Sequence, residues 1–254
     1  MKNIYLRIEY DGTSYFGWQR QQDAISIQQV IEEKICDVTG ENVSVIGSGR
    51  TDSGAHARGQ VANFYTNSSI PPEKFSFVLN TKLPSDIRVK ESKEVPMDFH
   101  ARYCAVAKRY TYSMVLDRHG IAIGRYYYYN IKEILDIDNM IRGASIFQGT
   151  HDFKAFMSKG SSVKNTVRTI YSSRIISDHP FLYFDIVGNG FLYNMVRIMV
   201  GTLIEIGRGK LTFLDAAQII KKGDRRLAGP TAPAHGLCLE DVYYTEEELF
   251  SNIL

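Results

Sequence analysis

"GSGRTDSGAHARGQ", residues 47–60, constrains the fold and the chemistry of this sequence more than any other stretch. Its four glycines permit tight turns and the close approach of another backbone, and its side chains are almost all polar. It contains neither a Gly-x-Gly-x-x-Gly pattern nor a glycine-lysine-serine phosphate loop, which argues against a nucleotide cradle. Arg50 and Asp52 are two residues apart, so both side chains project from the same face of an extended segment.

Asp52 has two interpretations. A neighbouring guanidinium keeps a carboxylate ionised, and an ionised carboxylate is a nucleophile or stabilises a positive charge. The alternative is an ordinary turn, because Thr-Asp-Ser-Gly places an aspartate where it accepts hydrogen bonds from backbone amides. The loop alone leaves both interpretations open.

Hydrophobic patterns around the loop predict a mixture of strands and helices. Residues 4–10 alternate between apolar and polar, as a half-buried strand does. Ser26 followed by Gln29 is typical of a capping box, and apolar residues then recur at helical spacing until Gly40. The other elements predicted in this half are strands 42–47, 60–66 and 87–95 and a short helix within 71–83.

The pattern of strands and helices restarts near residue 105. The elements predicted there are strand 108–116, helix 136–149, a hairpin of strands 167–177 and 181–188, an apolar helix from about Phe191, helix 212–221 and strand 236–244. We predict an α+β fold of two similar domains, 1–105 and 106–254. Each is expected to be a mainly antiparallel sheet with helices on one face, with the two sheets joined around a central cleft.

Composition excludes several classes of protein. The 254 residues are 44% hydrophobic and 23% charged, which is typical of a folded protein and not of a disordered chain. The apolar stretch 188–207 contains Arg197 and Glu205, which makes it a poor bilayer span, and no apolar signal region follows the N-terminus. We therefore expect a cytoplasmic protein without a membrane segment.

The cysteines and histidines do not indicate a metal centre. The three cysteines lie far apart without a Cys-x-x-Cys pair, and the six histidines lack the spacing of metal ligands. We expect reduced thiols, no disulfide scaffold and no metal.

The basic residues are clustered, although a net charge of +2 does not by itself indicate a nucleic-acid ligand. Clusters that fold onto one face would form a basic surface, and otherwise they are solvated loops and helix ends. The clusters are 107–110, 207–210, 221–226 and the series Lys154, Lys159, Lys164 and Arg168.

Tyr110 lies in "KRYTY", residues 108–112, where it shares a strand face with Lys108 and Tyr112. An exposed aromatic ring beside a basic residue suits a nucleobase, because the ring stacks on the base and the cation meets phosphate. The alternative for Tyr110 is ordinary packing within a sheet.

Arg197 is the only cation in "FLYNMVRIMVGTLIEIG", and no acidic residue lies three or four positions from it. A buried guanidinium needs a partner, and Asp52 and an RNA phosphate are both candidates. The alternative is that Arg197 lies at the edge of the helix and extends to water.

Six blocks of sequence follow one another across nearly the whole chain: 10–21, 47–64, 98–112, 151–156, 188–210 and 232–244. In this order they resemble the TruA family of tRNA pseudouridine synthases. The Gly-Arg-Thr-Asp core followed by glycine and histidine is specific for that family, and Ser53 and Ala55 are conservative departures from it. Segments 117–135 and 157–168 match the family poorly.

The resemblance implies that uridine is isomerised to pseudouridine in the anticodon stem-loop of tRNA, at positions 38 to 40. It also implies that the reaction uses no metal, nucleotide or redox cofactor. The resemblance also implies a homodimer in which one tRNA spans both subunits, so dimerisation is expected.

The resemblance also implies roles for particular residues. Asp52 would be the catalytic aspartate, which attacks the ribose C1′ or otherwise cleaves the glycosidic bond, so that acylal and glycal routes both remain open. Tyr110 would stack on the target base and assist removal of the C5 proton, while Arg197 would pair with Asp52 and orient it. Residues implied to line the pocket are Arg50, Leu237 and Leu239.

Two other functions remain as alternatives. One is the same chemistry on another RNA or another site. The second is a non-catalytic RNA-binding module, which accounts for Tyr110 and the lysines but gives no reason for an arginine in an apolar helix.

Overall fold

The computed structural model describes residues 1–160 and 163–253, so the segment 157–168 is described except at positions 161 and 162. The strands and helices, in chain order, are β1 (Lys2–Tyr10), α1 (Ile27–Thr39), β2 (Ile46–Gly47), β3 (His56–Thr66), α2 (Phe75–Asn80), β4 (Ile87–Val95), β5 (Ala107–Leu116), β6 (Tyr129–Ile131), α3 (Ile137–Ser145), β7 (Gly149–Asp152), β8 (Val167–Asp178), β9 (Phe181–Gly188), α4 (Met195–Gly207), α5 (Phe213–Lys222), β10 (Leu237–Tyr243) and α6 (Glu246–Ile253).

The chain divides into two compact units. The first consists of Met1–Val106 with Cys238–Glu246, and the second consists of Ala107–Leu237 with the residues from Glu247 onward. The predicted boundaries, 1–105 and 106–254, differ from these units at Val106, which belongs to the first unit, and at Cys238–Glu246. Residues Cys238–Glu246 pack with the first unit, because β10 pairs with β3.

In the first unit the strand order is β4-β1-β3-β10, and β2 also pairs with β3. All of these pairs are antiparallel except β10 with β3, which is parallel. The alternation predicted for β1 holds from Leu6 to Tyr10, whereas Tyr5, on the face predicted to be exposed, is buried together with Ile4 and Leu6. This sheet carries the glycine-rich loop between β2 and β3.

Helix α1 forms where its sequence pattern predicts it. The side chain of Ser26 accepts a hydrogen bond from the Gln29 N–H at 3.3 Å, which satisfies one of the free donors of the first turn. The helix ends at Gly40, whose φ of 72° is a left-handed conformation that glycine adopts without strain. Ile27, Ile31 and Ile35 form its buried stripe.

In the second unit the strand order is β5-β9-β8-β7 with antiparallel pairing, and β6 runs parallel to β5. The predicted hairpin of β8 and β9 is confirmed. Helices α3, α4 and α5 pack together, and α3 and α4 also contact strands β8 and β5 respectively. Both units combine a mostly antiparallel set of strands with helices, so the predicted α+β class is confirmed.

Helix α4 begins four residues later than the pattern predicts, at Met195 instead of near Phe191. The reason is Asn194, whose φ of 61° is left-handed and interrupts the helical backbone. Arg197 therefore lies in the first turn of α4, among the buried Met195, Val196 and Ile198. In the described part of the chain, no helix is both long and apolar enough to cross a membrane.

Candidate active site

The backbone before Asp52 is anchored from two sides. Thr51 is buried, and its hydroxyl lies 2.7 Å from the hydroxyl of Tyr10 on β1. The backbone carbonyl of Thr51 accepts a hydrogen bond from the backbone N–H of Trp18 at 3.2 Å. Burial raises the pKa of Tyr10, so this hydrogen bond joins two neutral hydroxyls.

Asp52 itself begins a tight turn. Its carbonyl accepts from the Ala55 N–H at 3.1 Å, while the Gly54 N–H donates to the Tyr15 carbonyl at 3.2 Å. The hydroxyl of Ser53 donates to the same Tyr15 carbonyl at 3.3 Å. The turn predicted for this segment is thus confirmed, and it holds a half-buried Asp52.

Gly17 allows the loop to approach this closely. Its φ of 80° is left-handed, and a Cβ at this position would lie 2.6 Å from the Thr51 carbonyl oxygen and 3.1 Å from the Asp52 carbonyl carbon. Only glycine fits. Gly17 was not among the predicted site residues, although it lies in the first block of the resemblance, 10–21.

The base of the loop is fixed by polar contacts within the sheet. The Ser48 hydroxyl donates to Gln60 Oε1 at 2.6 Å, and Gln60 Nε2 donates to the Gly49 carbonyl at 3.0 Å. Gly47 packs against the Trp18 indole so closely that a Cβ there would overlap Nε1. Asp52 is therefore presented by a rigid support and not by a free loop.

Arg50 is exposed on the same loop, and its Nε donates to Gln19 Oε1 at 3.2 Å. Its side chain is accessible to a ligand. Leu239 is fully buried in β10, directly opposite Ala57 of β3. The first unit thus contains Arg50, Asp52 and Leu239 of the predicted site residues.

His56 is a buried residue at the end of the loop that the sequence analysis did not assign to the site. Its Nδ1 accepts a hydrogen bond from the Gly12 N–H at 3.0 Å and lies 3.2 Å from Asp11 Oδ1. Because Nδ1 accepts from Gly12, the neutral ring carries its proton on Nε2. Gly12 is confined as well, since a Cβ there would overlap the Ala55 carbonyl. His56 thereby joins the first block to the loop.

In the second unit, Arg197 is half-buried and bonded at two different nitrogens. Nε donates to the Ala232 carbonyl at 2.7 Å, and Nη1 donates to Asn194 Oδ1 at 2.9 Å. The Arg197 carbonyl in turn accepts from the Ala232 N–H at 3.1 Å. These contacts supply partners for the cation within its own unit, and its pairing with Asp52 stays a prediction.

The segment 229–233 runs along α4 and carries Ala232. Its Gly229 N–H donates to the buried Thr202 hydroxyl at 2.9 Å, and Pro230 packs so closely on Gly201 that a Cβ there would overlap the Pro230 carbonyl. The Tyr112 hydroxyl donates to the Pro233 carbonyl at 2.7 Å. The segment is thus held along its length.

Tyr110 and Tyr112 share one face of β5, as predicted. Tyr110 is 7% exposed and meets Phe191 edge-on, with ring centroids 5.1 Å apart. Tyr112 is completely buried, and burial raises its pKa while the charge of Arg197 lowers it. The packing interpretation therefore holds for Tyr112, and Tyr110 presents only a small part of its ring. Leu237, at the start of β10, is also buried.

The basic clusters of the second unit differ in their environments. Arg109 and Arg174 bind the buried Asp185 from opposite sides, at 2.7 Å and 3.2 Å, which is a structural role. Arg226 pairs with Asp224. Five lysines of these clusters are exposed and accessible to an anionic ligand, namely Lys154, Lys159, Lys164, Lys221 and Lys222, whereas the exposed Lys210 pairs with Glu205 at 3.1 Å. Among the residues that the structure describes, no group of three or more His, Cys, Asp or Glu side chains could hold a metal ion.

Comparison with known proteins gives a consistent result over most of the chain. The profile of a family described as tRNA pseudouridine synthase matches residues 7–104 and 144–245. The tRNA pseudouridine synthase A of Acetivibrio thermocellus is 53% identical over 244 residues, covering 96% of this chain and 100% of that protein. The corresponding protein of Clostridium acetobutylicum is 49% identical with the same coverage, and that of a Geobacter species is 47% identical over 97% of this chain and 100% of that protein.

A solved structure, described as "Crystal Structure of a Cbf5-Nop10-Gar1 Complex", is 14% identical with a TM-score of 0.37, covering 79% of this chain and 45% of that chain. These values do not establish a shared fold.

Proposed function

Because the chain belongs to the tRNA pseudouridine synthase family and is therefore an isomerase, we propose that it converts uridine to pseudouridine in the anticodon stem-loop of tRNA, at positions 38 to 40, with Asp52 as nucleophile. The observation that carries the proposal is the half-buried Asp52 on a turn that Thr51, Tyr15 and Gly17 hold rigid. Rigid support suits a group that must meet one carbon atom of a substrate.

The chemistry needs one carboxylate. When the bond between ribose C1′ and uracil N1 breaks, the electron pair leaves with uracil and C1′ becomes positive, so an ionised carboxylate captures or stabilises it. The freed uracil turns, C5 bonds to C1′, the C5 proton is lost to solvent and N1 takes up a proton, so that no proton is gained or lost overall. In the acylal route Asp52 bonds to C1′ and leaves again as a carboxylate when C5 attacks, whereas in the glycal route it removes the C2′ proton and returns it when C5 bonds to C1′. The proposal covers both routes.

Two residues of the second unit have proposed roles in this reaction. Tyr110 stacks on the target base and assists removal of the C5 proton, a role supported by its position on β5 beside Lys108. Arg197 pairs with Asp52 and orients it, a role supported by its half-buried guanidinium in the otherwise apolar first turn of α4. The pocket around the uridine is lined by Arg50, Leu237 and Leu239.

Recognition of RNA is proposed to use the exposed lysines. Extruding a uridine from its stack costs a few kcal/mol, which contacts to phosphates and an aromatic surface can offset. We propose tRNA as the substrate and a second copy of this chain as partner. No metal and no cofactor takes part in the proposed steps.

Release of tritium tests the reaction. Unmodified tRNA with tritium at uridine C5 is incubated with the protein in the absence of added metal or nucleotide. We expect release from the wild type and a loss of at least about a thousandfold for Asp52→Ala. The matched control is Asp37→Ala, which removes an exposed aspartate of α1 and should leave release unchanged. Undiminished release by Asp52→Ala would contradict the mechanism.

The same assay separates the alternatives. If tRNA that carries cytidine at positions 38 to 40 still releases tritium, the chemistry is right but the site is another one. Tight RNA binding without release would favour the non-catalytic RNA-binding module.

A further inference from the structure

Asn194 has an unusual backbone conformation at the start of α4. With a φ of 61°, it is the only non-glycine residue with positive φ in the part of the chain that the structure describes. Asparagine tolerates this conformation better than most residues, but glycine adopts it without strain. The presence of a side chain at this position therefore calls for a role of the side chain itself.

The amide of Asn194 is bonded at both ends. Its Oδ1 accepts from Arg197 Nη1 at 2.9 Å, and its Nδ2 donates to the Ser158 hydroxyl at 2.9 Å. A guanidinium has only donors, so the oxygen of the amide must face Arg197 and the nitrogen must face Ser158. The orientation of the amide is thus fixed by chemistry.

This contact helps to orient the guanidinium of Arg197. Ala232 binds Nε and Asn194 binds Nη1, so two separate atoms of one planar group are held. A single hydrogen bond would leave the guanidinium free to rotate about it, whereas two determine the plane. Ser158 is fixed in turn, because its N–H donates to the Tyr193 carbonyl at 3.1 Å.

We propose that Asn194 is a positioning residue, which sets the plane of the Arg197 guanidinium for the isomerisation of uridine. The inference rests on the proposed function, since it assumes that Arg197 orients Asp52. Asn194 acts through Arg197 and has no contact with substrate.

The test compares Asn194→Gly with the wild type in the tritium assay. Glycine keeps the left-handed backbone but removes the amide, so the fold should persist. We expect kcat to fall about tenfold to a hundredfold, as for a small displacement of a catalytic group. The KM for tRNA should stay within about threefold of the wild type, because positioning affects the chemical step and not binding.

A conservative variant and a matched control complete the design. Asn194→Asp retains an oxygen facing Arg197, and it should restore kcat to within about threefold of the wild type. Asn139→Gly makes the same exchange in the first turn of α3, where Asn139 bonds to Asp136, and it should leave kcat unchanged.

The results of these assays distinguish a failure of the positioning role from a failure of the proposed function. If wild type is active and Asp52→Ala is not, but Asn194→Gly turns over at the normal rate, the positioning role is wrong and the proposed function stands. A loss confined to KM, or an Asn194→Asp variant as slow as Asn194→Gly, overturns the role as well. A wild type that releases no tritium removes both proposals.

Discussion

Gly17 and Gly40 share a left-handed backbone, with φ of 80° and 72°, but differ in what surrounds them. A Cβ at Gly17 would meet the Thr51 carbonyl at 2.6 Å, whereas nothing lies within 4 Å of a Cβ at Gly40. This pair separates the cost of the backbone conformation from the cost of moving the loop that carries Asp52.

We predict that Gly40→Ala lowers the free energy of unfolding by about 1 kcal/mol, the strain of alanine at positive φ, and leaves activity intact. Gly17→Ala should lower it further, by about 1–3 kcal/mol in addition, and reduce kcat at least about tenfold because the turn must shift. Urea unfolding and tritium release measure the two quantities. Equal effects of the two substitutions would show that the contact with Thr51 is not important.

The turn at Asp52 is predictable from its own residues, because turn chemistry is local. The residues that fix it are not, since Tyr15 and Gly17 precede it by more than thirty positions. Arg197 shows the same limit: its isolation from acids was visible, but its bond to Ala232 depends on how the segment 229–233 folds back.

At the scale of elements, the bounds of α1 are predicted correctly from local sequence. The capping residues Ser26 and Gly40 and the helical spacing of apolar residues between them indicate the same helix. Strand β3 begins at His56, four residues before the predicted strand, because pairing with β10 extends it. Gly59 permits this pairing, since a Cβ there would overlap the Glu240 carbonyl oxygen. A partner strand about 180 positions away cannot be found from the pattern around His56.

The contact between α4 and the segment 229–233 depends on Thr202. This residue is completely buried, and its hydroxyl accepts from the buried Gly229 N–H and donates to the Ile198 carbonyl. We predict that Thr202→Val, which has nearly the same shape, destabilises the protein by about 1–3 kcal/mol, because the Gly229 N–H loses its partner.

Urea unfolding measures this loss, and Thr202→Ser serves as the control because it keeps the hydroxyl. Serine should retain more stability than valine despite the missing methyl group. The reverse order would mean that packing, and not the hydrogen bond, holds the segment.

At the scale of the whole molecule, the α+β class follows from the order of strands and helices in the sequence. The division into units does not follow from order along the chain, because β10 belongs with strands made at the beginning. The predicted helices on one face, and the predicted cleft between two joined sheets, remain predictions.

We predict that the protein is a homodimer in solution. Light scattering at micromolar concentration should give twice the 28.8 kDa of one chain. A mass equal to that of one chain at all concentrations would contradict the proposed partner, while leaving the proposed chemistry of Asp52 to the tritium assay.

The parallel pairing of β10 with β3 also affects how the protein is made. Ribosomes add roughly 5–20 residues per second, so the partner of His56 emerges roughly ten to forty seconds after His56 itself. During that interval the start of β3, at His56 and Ala57, lacks its partner on one edge, since β2 covers only Ala62 and Asn63, and open edges pair with other chains. The strand that follows the loop of Asp52 is thus among the first parts to be synthesised, but its pairing is among the last to be completed.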